Sequence, residues 1–158
     1  MRLRLIAAGT RLPRWVNEAV GEYAARLTGE YRFELTEIPL GARKSGDIKQ
    51  ALAKESERFR AALPPGAYVV ALQVDGRALS SEELARFLEA RARDGRDVAF
   101  VIGGPDGIPP DIDARADFRW SLSALTLPHA LARVIVVEAL YRAVSIIKGH
   151  PYHRGCRL

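Results

Sequence analysis

Three observations predict an α/β domain with a largely parallel sheet. Short apolar or alternating runs at residues 2–7, 32–38, 68–72, 98–102 and 118–122 have strand length and composition. Stretches with apolar residues at helical spacing separate most of these runs. The 158 residues contain no internal repeat, low-complexity tract or linker, so one domain spanning 1–158 is expected, long enough to bury a real core. Alternating strands and helices of this kind close into a parallel sheet covered by helices.

Taken in order, Arg2-Leu-Arg-Leu-Ile-Ala7 alternates as a strand and Gly9-Thr10 ends it. Pro13 is placed to open a helix at its first position. Val16, Ala19, Val20, Tyr23 and Leu27 then fall on one helical face. The strand over 32–38 puts Phe33 and Leu35 on the same side. A basic loop through Gly41-Ala-Arg43-Lys44-Ser-Gly46 leads to Asp47, an N-cap candidate for a helix with Ile48, Leu52, Phe59 and Leu63 on its apolar face. Tyr68–Leu72 reads as a strand buried on both faces, and Asp75-Gly76 as the turn that follows it. Ser80 and Glu83 have capping-box spacing, ahead of a helix carrying Leu84, Phe87, Leu88 and Arg91 and ending at Asp94-Gly95.

The last helix, Ala130–Ile147, is apolar nearly all round apart from a stripe at Glu138, Arg142 and Ser145. A surface helix needs one apolar face only, so this one requires cover on most sides, by threading through the molecule or by packing on another subunit. Glu138 and Arg142 are four apart, which by itself favours an ion pair along the helix.

Composition narrows the function. The chain is 48% hydrophobic and 27% charged, which excludes a disordered segment. A net charge of +5 fits an anionic partner such as nucleic acid, and fits equally a surface kept soluble by arginine. The single cysteine, Cys156, excludes an internal disulfide framework. No run of eighteen uninterrupted apolar residues is present, and the chain opens directly into a strand. A cytoplasmic protein away from membranes is expected.

The chemistry concentrates in the last third. Gly103-Gly104-Pro-Asp-Gly107 follows a strand at the carboxyl end, where open α/β sheets bind ligands. It lacks the Gly-Lys-Ser/Thr ending of a phosphate loop and the Gly-x-Gly-x-x-Gly dinucleotide fingerprint. Trp120-Ser-Leu-Ser-Ala-Leu-Thr-Leu-Pro-His129 combines small side chains, which let a ligand reach the main chain, with leucines that form an apolar floor. With Leu72 ending another strand, three strand ends converge on a pocket suited to a nucleoside-type cofactor. His150, His153 and Cys156 lack a fourth ligand and a common face, so no metal is expected. Without Gly-x-Ser-x-Gly, hydrolytic chemistry has no local support. Tyr152, His153 and Arg154 offer stacking, proton transfer and anion contact within three residues.

These strings, with Arg133 and Glu138-Ala-Leu-Tyr-Arg142, closely resemble the ribosomal RNA large subunit methyltransferase H family, small SPOUT-class enzymes that methylate pseudouridine at ring N3 in large-subunit ribosomal RNA. The resemblance runs from the Leu-Ile-Ala-Ala-Gly-Thr opening through Glu37-Ile-Pro39 to the tail. Two departures stand out: Gln73, where the family commonly has Asp, and the terminal Gly-Cys-Arg-Leu beyond Arg154. The resemblance implies a SPOUT-type fold with a C-terminal deep trefoil knot, homodimerisation, and an assembled ribosome as substrate. It implies S-adenosylmethionine bound by Leu72, Gly103, Leu122, Ser123, Ala124, Leu125, Thr126 and Leu127. For that chemistry we expect Arg142 and Arg154 to hold the base or phosphate, Tyr152 to stack on a flipped base, and His129 or His153 to accept the proton. Arg43 and Lys44 are candidate phosphate contacts, or equally residues of an exposed solvated loop. The rival readings are a SPOUT methyltransferase of transfer RNA and a non-catalytic ribosome- or RNA-binding factor with this fold.

Overall fold

A computed structural model describes residues 1–43 and 46–154. Its strands β1 (Arg2–Ala8), β2 (Arg32–Ile38), β3 (Tyr68–Ala78), β4 (Val98–Ile102) and β5 (Phe118–Ser121) form one sheet, ordered β2-β1-β4-β3-β5. Every pairing is parallel. Parallel strands need covering on both faces, and the sequence supplies the means by alternating two apolar sets along each central strand. Leu3, Leu5, Phe100 and Trp120 pack with α1 (Arg14–Arg26), α3 (Ser81–Arg93) and α5 (His129–Ile147). Their neighbours Ile6, Val69 and Val101 pack with α2 (Ile48–Ala62) and α4 (Pro110–Arg115). The result is three layers with all five residues of β4 buried.

Local signals set most element ends. Asp47 accepts the Gln50 amide at the start of α2, and both reciprocal bonds of the Ser80–Glu83 capping box are present at α3. Gly95 and Gly149 take positive φ just beyond α3 and α5. At Gly149 the chain reverses, so that a short 3-10 turn, Pro151–Arg154, lies back against α5.

Four expectations change. Pro13 is not the first residue of α1; it sits at the N-cap in extended conformation, with Arg14 opening the helix. On α2 the buried residues are Ala51, Glu55, Ser56 and Phe59, whereas Ile48 is 46% exposed. The inward face is rotated because Glu55 is buried to satisfy a loop, an interaction that hydrophobic periodicity does not report. Asp75-Gly76 does not end β3: Leu72 and Arg77 both pair with Trp120, and the residues between them are extruded as a bulge. A Cβ at Gly76 would lie 2.7 Å from the Arg119 backbone, so this close approach needs glycine. The six-residue α4, opened by Pro110, was not expected at all.

The apolar character of α5 finds its cover in α1 and α3, which flank it over the sheet. Val136, Val137, Leu140, Ala143 and Val144 are buried, while Leu131, Ile135, Glu138 and Arg142 form a half-buried outer line. No helix among the described residues is long and apolar enough to cross a membrane.

Candidate active site

The carboxyl ends of β3, β4 and β5 converge on a cavity of about 390 Å³. Its walls include Leu72 from β3, Gly103 from the turn after β4, and Leu122, Ser123, Leu125, Thr126 and Leu127 from the loop joining β5 to α5. Ala124 lies in the same loop, exposed and outside the cavity lining. His129, the first residue of α5, completes the rim. Of the residues singled out as cofactor contacts, all but Ala124 therefore meet at one place.

Backbone shape builds this cavity. Gly103 sits where a Cβ would fall 2.3 Å from the carbonyl carbon of Gly107, and Gly107 has φ +83. Gly104 and Gly107 form a β-bridge that closes the turn. In the facing loop, Ser121 Oγ donates to the Ser123 carbonyl and the Leu125 amide donates to Ser123 Oγ, both at 3.0 Å. These bonds hold the loop open as a bed rather than letting it collapse. Leu125 is 72% exposed at the lip. The lining contains no Asp, Glu, Lys or Arg, so His129 is its only titratable side chain. Such a cavity is in the size range of small-molecule sites and suits an uncharged aromatic group better than a polyphosphate.

The bulge in β3 was not foreseen, although the Gln73 departure was expected to fall at the edge of the cofactor pocket. It delivers Gln73 and Val74 to the cavity wall. Gln73 Nε2 donates to Asp113 Oδ1 at 3.0 Å, and Arg119 bridges Asp113 and Asp75 at 3.3 and 3.2 Å. An amide at position 73 can donate to Asp113 where a carboxylate would repel it. The only advance signal was the departure at Gln73 itself.

Arg133, one turn beyond His129, is 1% exposed. It pairs with Glu37 at 2.6 Å and donates to the carbonyls of Gly9 and Ala8 at 2.7 and 3.3 Å. This ties α5 to the carboxyl ends of β1 and β2 and brings the Gly9 turn beside His129. A buried guanidinium is tolerated because several acceptors share it.

The tail residues assemble elsewhere. Tyr152 donates to Glu138 Oε1 at 3.1 Å, and the Arg142 guanidinium lies 4.8 Å from the Tyr152 ring centre. Burial, with hydrogen bonding to Tyr23 and Glu138, pushes the Tyr152 hydroxyl far above its ordinary range, so it stays a donor. The Glu138–Arg142 ion pair expected from spacing is present at 2.9 Å. His153 Nε2 lies 2.9 Å from Glu82 Oε1 and its Nδ1 lies 3.5 Å from Arg142. Glu82 is held below the usual carboxylate range by the free amide at the start of α3 and then by His153. Arg154 is exposed. His150 Nδ1 accepts the Tyr152 amide, so the two imidazoles are engaged separately. Lys44 and Cys156 lie outside the described residues.

One chain thus does not unite its candidate residues. Arg142 is thirteen positions beyond His129 on α5, roughly 20 Å along the helix axis. Arg43 also departs from expectation. It is neither a free phosphate contact nor a solvated loop residue, but is bonded to Asp106 and to the fully buried Glu55.

Comparison with known proteins follows the same lines. The family model described as predicted SPOUT methyltransferase matches residues 1–153. A Pseudomonas aeruginosa protein named ribosomal RNA large subunit methyltransferase H is 50% identical over 155 residues, covering 98% of this chain and 100% of that one. A Stenotrophomonas maltophilia protein of the same name is 53% identical over 156 residues, with the same coverage. Among solved structures, a probable methyltransferase from Bordetella pertussis superposes with a TM-score of 0.58 at 19% identity, covering 90% of this chain and 96% of that one. A structure described as giving insights into 2-OH methylation of C/U34 on tRNA gives a TM-score of 0.52 at 22% identity, covering 94% and 98%. At these identities the structural likenesses establish the fold alone.

Proposed function

The chain belongs to the SPOUT methyltransferase family, and from that premise we propose that it methylates ring N3 of a pseudouridine in large-subunit ribosomal RNA, using S-adenosylmethionine and acting on assembled ribosomes. The observation that carries this reading is the uncharged cavity at the sheet's carboxyl edge, walled by the Gly103–Gly107 turn and the Leu122–Leu127 loop. A turn with no room for a Cβ at Gly103 gives a ligand access to main chain, and the leucines supply an apolar bed. These features fit an adenosyl group. Bound there, the cofactor would supply an activated methyl group on a sulfonium.

The protein's part is alignment, desolvation and proton management. The acceptor N3–H must lose its proton while the new N–CH3 bond forms and the sulfonium is released as a thioether. His129 at the rim and His153 in the tail are the candidate acceptors of that proton. Negative charge developing on the neighbouring carbonyls calls for a cation or donor, the role proposed for Arg142 and Arg154. Tyr152, kept protonated, offers a ring for stacking on an extruded base.

The separation between tail and cavity along α5 supports a homodimer in which one subunit's tail completes its partner's cavity. The half-buried outer line on α5, apolar at Leu131 and Ile135 and charged at Glu138 and Arg142, is the surface proposed for that contact. The deep trefoil knot belongs to the same reading. Mixing a cavity variant, Gly103→Ala, with a tail variant, His153→Ala, tests the arrangement: shared sites recover activity in the mixed dimer, and self-contained sites do not.

Methyl transfer from labelled S-adenosylmethionine to intact ribosomes, separated subunits and bulk transfer RNA tests the reaction itself. Label in N3-methylpseudouridine from ribosomes is the expected result. Label in transfer RNA would replace the substrate, and no label together with no cofactor binding would favour a non-catalytic RNA-binding role.

A further inference from the structure

The loop after β2 is held to the cavity's glycine turn by a charged network that none of the proposed chemistry uses. Glu55, on α2, is 0% exposed. Its Oε2 accepts the Gly41 amide and an Arg43 Nη, each at 2.9 Å. Arg43 Nε donates to Asp106 Oδ2 at 2.7 Å, the same Nη1 that pairs with Glu55 donates to the Gly41 carbonyl at 3.0 Å, and Nη2 donates to Glu55 Oε1 at 3.5 Å. Asp106 stands between Gly104 and Gly107, inside the turn that forms one wall of the cavity. Contact is close: a Cβ at Gly104 would lie 2.8 Å from Leu40 and 3.6 Å from Glu55. A Cβ at Gly41 would lie 2.4 Å from the Ala51 carbonyl, so the loop is seated directly on α2.

Burying a carboxylate is costly unless it is fully bonded, and a helix surface is more simply packed with an apolar residue. The bonds to Asp106 and Glu55 hold the Arg43 guanidinium even more firmly in its charged form. The network therefore fixes the orientation of Asp106 and adds a side-chain brace to a turn already closed by its own backbone contacts.

We propose that Arg43, Glu55 and Asp106 are positioning residues for cofactor binding, which brace the Gly103–Gly107 turn from α2 and set the shape of the cavity wall. This rests on the reading of that cavity as the S-adenosylmethionine site. None of the three touches the reacting atoms.

Calorimetric binding of S-adenosylmethionine and steady-state methyl transfer to ribosomes test it on the full-length protein. The first variant is Asp106→Asn, which leaves the Arg43–Glu55 pair intact. The second is Arg43→Met combined with Glu55→Gln, which avoids stranding a buried carboxylate. Loss of one charge-assisted bond predicts a cofactor Kd and KM raised about tenfold for Asp106→Asn, and further for the double variant. The ribosome KM and turnover at saturating cofactor should hold near wild type, a split that general destabilisation does not produce. Asp106→Glu, which keeps the charge, should recover part of the lost cofactor affinity. Variants that bind cofactor as tightly as a cofactor-binding wild type would overturn the proposal alone. Wild-type protein that binds no cofactor would overturn the reading of the cavity, and this proposal with it.

Discussion

At the N-terminal end of α5 the cavity is made from backbone, glycine and small or apolar side chains, with His129 its single titratable group. At the C-terminal end the tail is held by long charged and aromatic side chains: Glu138, Arg142, Glu82, Tyr152 and His153. The cavity wall has its form set by close backbone contacts, such as the one at Gly103. The tail is a half-exposed 3-10 turn whose position depends on a few side-chain bonds. A surface built of main chain suits a constant ligand, whereas side chains that can exchange partners suit a group that must meet an incoming substrate.

The largest effect that would sharpen this contrast is on turnover. His153→Ala should lower kcat by about a hundredfold if it takes the proton, with cofactor affinity unchanged by calorimetry. Unchanged turnover would remove His153 from that role and leave His129 as the candidate. Gly103→Ala should act in the opposite sense. Because the added methyl meets the Gly107 backbone, repacking costs about 1–3 kcal/mol, and cofactor affinity should fall by as much as about a hundredfold. Near-normal affinity in that variant would break the claim that the wall admits only glycine.

Glu37→Gln tests the link between cavity and sheet. Removing the carboxylate from the buried Arg133 should cost about 2 kcal/mol of stability, read from denaturant unfolding. A variant as stable as the parent would show that the carbonyls of Ala8 and Gly9 suffice for this cation.

The smallest effect concerns pH, and should be confined to the tail. The Glu82 pKa is lowered by folding, so its contribution is present above the ordinary carboxylate value of 4.5 and is lost as pH falls through the folded value. The Tyr152 pKa is raised, so its contribution is complete below the ordinary value of 10.0 and is lost as pH rises through the folded value. Protection of the amides of Tyr152, His153 and Arg154, taken relative to the intrinsic exchange rate at each pH, should therefore be greatest on a plateau between these limits, while the Leu122–Leu127 loop shows no matching change. A loop that loosened with the tail would contradict their independence.

Legibility in the sequence follows the range of each interaction. The strands, the Asp47 cap and the Ser80–Glu83 box were readable because they depend on residues a few positions apart. The cavity was readable for a related reason: three strand ends with small or apolar residues are each local, and a parallel sheet brings its carboxyl ends together. Ile48 was misread and Glu55 passed over because a buried carboxylate looks like a surface residue until its partners, Gly41 and Arg43, are known. The bulge carrying Gln73 was hidden because Asp75-Gly76 has the composition of a turn, and only pairing of both flanks with Trp120 makes it a bulge.

By itself, then, the sequence determined the α/β alternation, the apolar final helix and the glycine-and-leucine lining of the cavity, since each follows from backbone preference and short-range hydrophobic pattern. Tertiary structure alone decided the order β2-β1-β4-β3-β5, the burial of Arg133 and Glu55, and the docking of the tail away from the cavity of its own chain. These depend on partners such as Glu37 with Arg133 and Glu82 with His153, ninety-six and seventy-one positions apart. Periodicity reports which face of an element is apolar, but the partner of a charged side chain is chosen only when distant segments meet.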